Sequence, residues 1–462
     1  MKTKLRIALA TGLAAAAVTA MTGCSDNSMS PGDAFRGMSA TKSSQTISVA
    51  GDDGCGDLPT APDSVRVDLI DPVFSDPIDA DNPLFPVGEL DRAILLGLAD
   101  GEPFRTETTR MPGTKTIYID GKPVETIISQ YVAWQDRRIH EVAIDWYGQD
   151  DEGNVYYFGE DVFNYEDGVV VDTHGTWIAG DEFPVAMIMP ADPQVGDVWR
   201  PENACPMVFE EVTALETDVT VDGPRGPVAG ALLVRELHLD GVFENKTFAP
   251  GYGELSAGSV ESGNLEALAV AVPTDFLGGK EPEDLEDVSD GAEEIFRVAR
   301  NGSWRRIKTL FRELEEDWED YEATGVPPLL AAQMNEAIGE LSDAIVERDR
   351  AETRQGAVDV ALASVDFELR YDERSEIDLD LIEVWTMQLR IDVAAHDVGG
   401  IRSDLETIRV IRDRLEPGFA SRIDGDLSAL RSAAQAGDEG ALATVTASLH
   451  EAVVALGLSA TR

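Results

Sequence analysis

The chain has 462 residues, 43% of them hydrophobic, enough for two or three domains of ordinary size. Its 87 acidic residues face 37 basic ones, a formal net charge of -50, with a pI near 4.2; this excludes attraction to a phosphate backbone, so no nucleic acid is expected as a partner. The acids are spread along the chain rather than gathered in a tail, which reads as a solvated acidic surface, with cation scavenging as the sharper alternative.

In chain order, Lys2, Lys4 and Arg6 precede an uncharged, Ala- and Leu-rich stretch over residues 7–20. That stretch falls short of the roughly 20 apolar residues a membrane span needs, and it has the layout of an export signal. Met21-Thr22-Gly23-Cys24 follows and resembles the lipobox of bacterial lipoproteins, in which the signal is cut before a cysteine that receives lipid. The resemblance implies a signal peptide over residues 1–23, lipidation of Cys24 and a lipid bilayer as partner through that residue. It also implies an extracytoplasmic, envelope-bound protein, and Ser25 points to the outer membrane if the cell is Gram-negative. Residues 24–62 are rich in Ser, Gly, Asp and Thr without apolar periodicity, the composition of a flexible tether. Cys55 and Cys205 are then an even pair in a compartment that permits disulfides; a bridge and two separate thiols both stay open, because spacing says nothing about their separation.

Residues 63–275 read as a β-rich domain, with β-branched or alternating runs punctuated by Asp120-Gly121, Asp167-Gly168 and Asp240-Gly241, the residue pairs that tight hairpins use. Runs over residues 126–134, 138–147 and 154–158 predict consecutive antiparallel strands, the last two joined at Asp151-Glu152-Gly153, and residues 228–239 predict another. No helical crossover separates them, so an antiparallel β sandwich or barrel-like domain is expected rather than a parallel sheet.

Residues 276–291, with Gly278-Gly279, Pro282 and a dense acidic run, predict a linker. Beyond it the apolar period changes to about 3.6: Trp304, Ile307, Phe311, Leu314, Trp318 and Tyr321 share one helical face, and similar stripes recur to Leu456. Residues 292–458 are thus expected as an all-α helical bundle with short connections. The fold class is a multidomain α and β chain, β domain first.

Chemistry-bearing motifs are sparse. The chain lacks a Gly-x-Ser-x-Gly elbow, a phosphate loop and a Cys-x-x-Cys, so no catalytic residue and no cofactor is assigned. His140, His174, His238, His396 and His450 are scattered without metal-ligand spacing, so no metal ligand is assigned either. His140 shares its strand face with Val142, Ile144 and Trp146 and is expected to be a core histidine; His396, near a helix end, is expected to favour a cation. Asp150-Asp151-Glu152-Gly153-Asn154 offers calcium-like oxygens but reads as a hairpin tip. Asp359 and Asp366, with Asp378, Asp380 and Asp392, are the helical carboxylates that facing helices can turn toward a cation.

Tyr157-Phe158-Gly159-Glu160-Asp161-Val162, Gly175-Thr176-Trp177, Met189-Pro190 with Val195-Gly196-Asp197, and Ala249-Pro250-Gly251-Tyr252-Gly253 resemble a recurrent, uncharacterised β-rich domain of bacterial exported proteins, covering roughly residues 131–255. That resemblance implies no activity and no site residues. The expected function is a membrane-anchored, non-enzymatic lipoprotein that binds an unknown ligand or an envelope protein. Two alternatives stand beside it: a hydrolase using paired carboxylates, and cation binding through the acidic helical domain.

Overall fold

The computed structural model describes residue 55, residues 58–259 and residues 264–460. Cys24, the expected export signal and nearly all of the expected tether lie outside the described residues. The chain divides into two units, one holding the described residues up to 137 with 141–164 and 171–268, the other holding 138–140, 165–170 and 269 onward.

The β part is one antiparallel sheet of fourteen strands: β1 Arg92–Ala99, β2 Glu102–Ile119, β3 Lys122–Gln135, β4 Arg138–Gln149, β5 Val155–Glu166, β6 Val169–Asp172, β7 Trp177–Ile178, β8 Ala186–Met189, β9 Val198–Ala204, β10 Val208–Gly223, β11 Gly226–His238, β12 Phe243–Ala249, β13 Gly253–Ser259 and β14 Asn264–Val272. Neighbours run β6-β5-β4-β3-β2-β1-β14-β13-β12-β11-β10-β9, with β7 and β8 branching off β5. The sheet is not closed into a barrel, which corrects that part of the finer expectation; residues of β4 and β5 nevertheless share one core with residues of β9 to β12. The reason is physical: hairpin turns dictate local pairing, whereas closure depends on the end strands, and here β5 spends its second edge on β6, β7 and β8.

Local chemistry accounts for the meander. Asp100-Gly101, Asp120-Gly121 and Asp167-Gly168 each hold two successive residues at positive φ, the backbone of a two-residue turn whose twist matches the flanking strands. In β2, Pro112 has no N–H to give the ladder and Gly113 sits at φ +83°; the register slips there, between Arg110 and Thr114, as a bulge. The core packs Trp146, Tyr156, Phe158, Met187, Met189 and Trp199 together, with the Trp199 indole donating to the Ile188 carbonyl at 3.0 Å.

Eight helices follow: α1 Glu283–Ala299, α2 Trp304–Glu322, α3 Pro328–Glu347, α4 Arg350–Glu368, α5 Arg374–Ala395, α6 Val398–Arg412, α7 Pro417–Ala436 and α8 Glu439–Ala460. The acidic run expected as a linker is instead largely α1. Glu283, Asp284 and Glu286 occupy its first turn, where carboxylates complement the helix dipole, while Leu285, Val288, Ala292 and Ile295 are fully buried. The stripe on α2 buries Ile307, Phe311, Leu314, Trp318 and Tyr321. By contrast α4, capped by Asp349 accepting from the Ala351 and Glu352 amides, is buried around most of its circumference and packs on both α1 and α3. Gly356 makes this possible, because a Cβ there would lie 2.9 Å from the Leu341 Cα. Among the described residues no helix is long and apolar enough to cross a membrane.

Candidate functional site

One polar constellation in the first unit stands apart, and the register of β9 to β13 builds it. Glu210 on β10 lies opposite both Glu202 on β9 and His238 on β11. One row along, Glu236 on β11 lies opposite Glu244 on β12. Side chains two apart on a strand share a face, so Glu236 and His238 stand together, and so do Glu244 and Lys246. The tight connection after His238 sets this pairing: Gly241, at φ +83°, donates its amide to the His238 carbonyl at 2.9 Å, and the His238 amide donates to the Val242 carbonyl.

His238 is the hub. Its Nδ1 is 3.4 Å from Glu210 Oε1, and its Nε2 is 3.6 Å from Glu236 Oε1 and 3.5 Å from Glu244 Oε2. Lys246 Nζ is 3.0 Å from Glu236 Oε1 and 3.9 Å from Glu254 Oε2. Glu236 is 3% exposed, yet Glu210, Glu244 and Glu254 keep 21%, 25% and 32% of their side-chain surface. Water therefore reaches the outer members but not the centre. Burial alone would lower His238; its contacts with Glu210 and Glu244 outweigh that and raise it to about 11, so the ring is an imidazolium. Burial and the neighbouring Glu210 push Glu236 up, whereas Glu210, although burial opposes it, is held down by His238 and Lys246.

The acidic face continues in both directions. Toward β14, burial and Glu254 raise Glu266 to about 8, and Glu266 accepts from the Thr106 hydroxyl at 3.4 Å. Toward β5, burial raises Glu202 and Glu160 well above the carboxylate range, and the two share a hydrogen bond. Asp145, opposite Glu160, accepts from the Tyr157 hydroxyl at 2.9 Å, and burial raises it to about 7 together with Glu141. Nine carboxyls thus follow one another along this face with His238 and Lys246 as their cations. In a medium of reduced dielectric such an excess must bind protons or attract a cation.

The other residues singled out from sequence are dispersed. Cys55 and Cys205 form a disulfide with Cα atoms 5.3 Å apart, beside Phe209 and Leu237. His140 is exposed, which corrects its expected place in the core: Val142 and Trp146 on its face are buried, but the strand has only just begun at Arg138. His174 is exposed. His396 caps α5 at φ +59° and lies 2.7 Å from Glu439 Oε1. His450 is 3.4 Å from Glu383. Asp150 accepts from the Glu152 and Asn154 amides and from the Asn154 side chain, the bonding of a hairpin tip.

Nor do the helical aspartates converge. Asp359 accepts from Gln355, Asp366 from Gln333 and Asp392 from Gln388, while Asp378 is 3.7 Å from Arg414. The helical unit does have an open groove of about 900 Å³ that Asp290, Glu293, Glu313, Asp317, Arg390 and His450 help to line. Its charges are mixed. The chain matches no family model and no curated protein.

Sequence spacing missed the β10–β12 constellation because its members come from three strands. A signal was present all the same: Glu236-x-His238 and Glu244-x-Lys246 flank the Asp240-Gly241 turn, and a tight hairpin there places all four on one face. Glu210 had no such marker.

Proposed function

We propose that this chain is a lipoprotein, held outside the cytoplasm on an envelope membrane by lipid on Cys24, whose β unit binds a cationic ligand on its acidic face without chemical turnover. The observation that carries the binding half is the run of nine carboxyls against two cations, with Glu210, Glu244 and Glu254 still open to solvent. Pre-placed carboxylates in a partly dry setting favour a positive ligand strongly, since little reorganisation is needed when it arrives. The anchorage half is supported by the lipobox-like Met21-Thr22-Gly23-Cys24. Calorimetric titration of the mature protein with calcium, zinc and a linear polyamine tests the first half: no heat with any of them rejects it. For the second half, Cys24→Ala should move the protein from the membrane to the soluble fraction, and a variant that stays membrane-bound refutes it.

A second reading, a carboxylate-based hydrolase, is favoured by one observation. Glu160 and Glu202 share a hydrogen bond, and Asp145 stands beside Glu160, held by Tyr157. Paired carboxyls, one to give a proton and one to take it, are the equipment of acid–base hydrolysis. Under that reading Glu202→Gln removes hydrolysis of a panel of glycosides and esters; a parent protein inactive on the whole panel leaves the binding reading alone.

A further inference from the structure

We infer that Arg354, Arg390 and Arg300 form a binding site for a phosphate group in the helical unit, an inference independent of the cationic ligand proposed for the β unit. Phe296, on α1 and 3% exposed, organises it. The guanidinium carbon of Arg354, on α4, lies over this ring at 4.3 Å from its centre, and that of Arg390, on α5, at 5.2 Å. Arg300 caps α1 four residues after Phe296, a spacing that puts both on one side of the helix. Three cations from three helices thus gather around one buried ring.

Their counter-charge is missing, in a chain that holds 87 acidic residues against 37 basic ones. Among the described residues none of the three guanidiniums has a hydrogen bond or an ion pair, and Arg354 Nε is shut away from water without an acceptor. By contrast Arg409 pairs with Glu406 and Asp413, Arg412 with Asp413 and Asp424, and Arg414 with Asp378. The acids nearest in sequence are committed elsewhere. Asp349 is spent on the Ala351 and Glu352 amides and Glu294 on Arg297 and Arg306, while Glu293, raised to about 7 by burial and Asp290, answers to no arginine.

Arg354 is placed against its own charge on three counts. It is half-buried, it has two like charges for neighbours, and it stands in the second turn of α4, where side chains lean toward the N-terminus and so toward the positive end of the helix dipole. Burial, then Arg390 and Arg300, pull it down to about 10 with no carboxylate opposing them, and burial with Arg300 lowers Arg390. A guanidinium keeps its proton near neutral pH, so an anion is what relieves such a site. Phosphate suits it: the group brings about two negative charges and oxygens in several directions that more than one guanidinium can share, whereas a carboxylate is used up by a single fork. Stacking on Phe296 leaves the N–H edges of the guanidiniums free for those oxygens. The groove of about 900 Å³ that Phe296 and Arg390 help to line gives the ligand its way in. At about 0.1 M salt the acids farther off than about 10 Å are screened, while guanidiniums in contact with the ligand are not.

The experiment uses the mature protein with its disulfide intact, in phosphate-free buffer at about 0.1 M salt. Inorganic phosphate, glycerol phosphate and acetate are titrated in separate calorimetric runs. The expected result is one phosphate group per chain, with affinity reduced about tenfold or more in both Arg354→Gln and Arg390→Gln and unchanged in Arg305→Gln, which removes the same charge from an exposed position on α2. Circular dichroism and a thermal melt of each variant separate loss of ligand from loss of fold, and phosphate should raise the midpoint of the parent and not that of Arg354→Gln; should Arg354→Gln unfold, Arg390→Gln carries the test. Binding of inorganic phosphate alone, or of the ester as well, upholds the inference and tells a free-phosphate site from one that reads an ester. Phosphate bound equally well by both folded variants overturns it, as does acetate bound as tightly as phosphate, or a parent protein that binds neither phosphate probe.

Discussion

Replacing Glu266 by glutamine isolates the cost of one carboxyl on the acidic face. Burial, reinforced by Glu254 and Glu244, raises Glu266 from 4.5 to about 8 in the folded chain. A carboxyl raised in this way contributes stability that is fully present below 4.5 and is lost as the pH climbs through about 8, because the native state holds a proton that the unfolded chain releases. The interval, at about 1.4 kcal/mol per pH unit, comes to roughly 5 kcal/mol; Glu266 is only partly shielded, so solvent screening brings the expected effect down to about 2–3 kcal/mol. Glutamine has nearly the same shape and keeps a carbonyl oxygen for the Thr106 hydroxyl, but it never ionises. Urea unfolding at pH 4, 6, 8 and 9 should therefore give matching curves for parent and variant at pH 4, and a variant more stable by about 2–3 kcal/mol at pH 9. A difference that stays within about 0.5 kcal/mol across the whole range refutes the claim that this face carries uncompensated carboxyls.

Three further outcomes follow from other parts of the molecule. Cys205→Ser opens a loop of 150 residues, and the chain-entropy account gives a loss of about 5 kcal/mol, nearer 2–4 in typical measurements; urea midpoints with and without dithiothreitol check it, and the variant should no longer respond to the reductant. Arg200→Met leaves the Glu211 carboxylate, 4% exposed and 3.1 Å from Arg200 Nε, with the Ala61 amide as a remaining donor; a loss of about 3–5 kcal/mol is expected, much of it recovered in Arg200→Met/Glu211→Leu, and a double variant as weak as the single one sinks this account. In the helical unit, burial raises Asp380 and Glu293 to about 7 and Glu383 to about 8, so the same sign applies, and the thermal midpoint of the protein should fall as the pH is raised from 5 to 8; a midpoint that rises over that window contradicts it.

Much of the architecture was legible because it is written in short-range chemistry. Alternation of apolar residues, together with Asp-Gly pairs that tolerate positive φ, marked strands over residues 126–134, 138–147 and 228–239, and the structure moves the ends of each by at most a few residues. The apolar stripe from Ile307 to Tyr321 likewise marked α2, since burial at spacings of three and four needs only the helix period. Where a segment carried two messages, one was misread: Glu281 to Asp290 is acidic enough for a linker, yet the spacing of Leu285, Val288 and Ala292 buries one face and makes it α1. His140 was misplaced for a related reason, as alternation assigns a face but not how far along the strand the cover extends.

Composition and the N-terminal motif alone carry what can be said of charge, export and the expected anchor at Cys24, because those depend on residue order over a few positions. Whether the strands close, which cysteine meets which and where the carboxyls gather were decided by tertiary structure. Glu210 lies 26 residues before Glu236 in the chain, and only the pairing of β10 with β11 brings it to His238. Strand register converts sequence separation into a few ångströms, and it is the one quantity that alternation, composition and turn chemistry leave undetermined until every strand has found its neighbour.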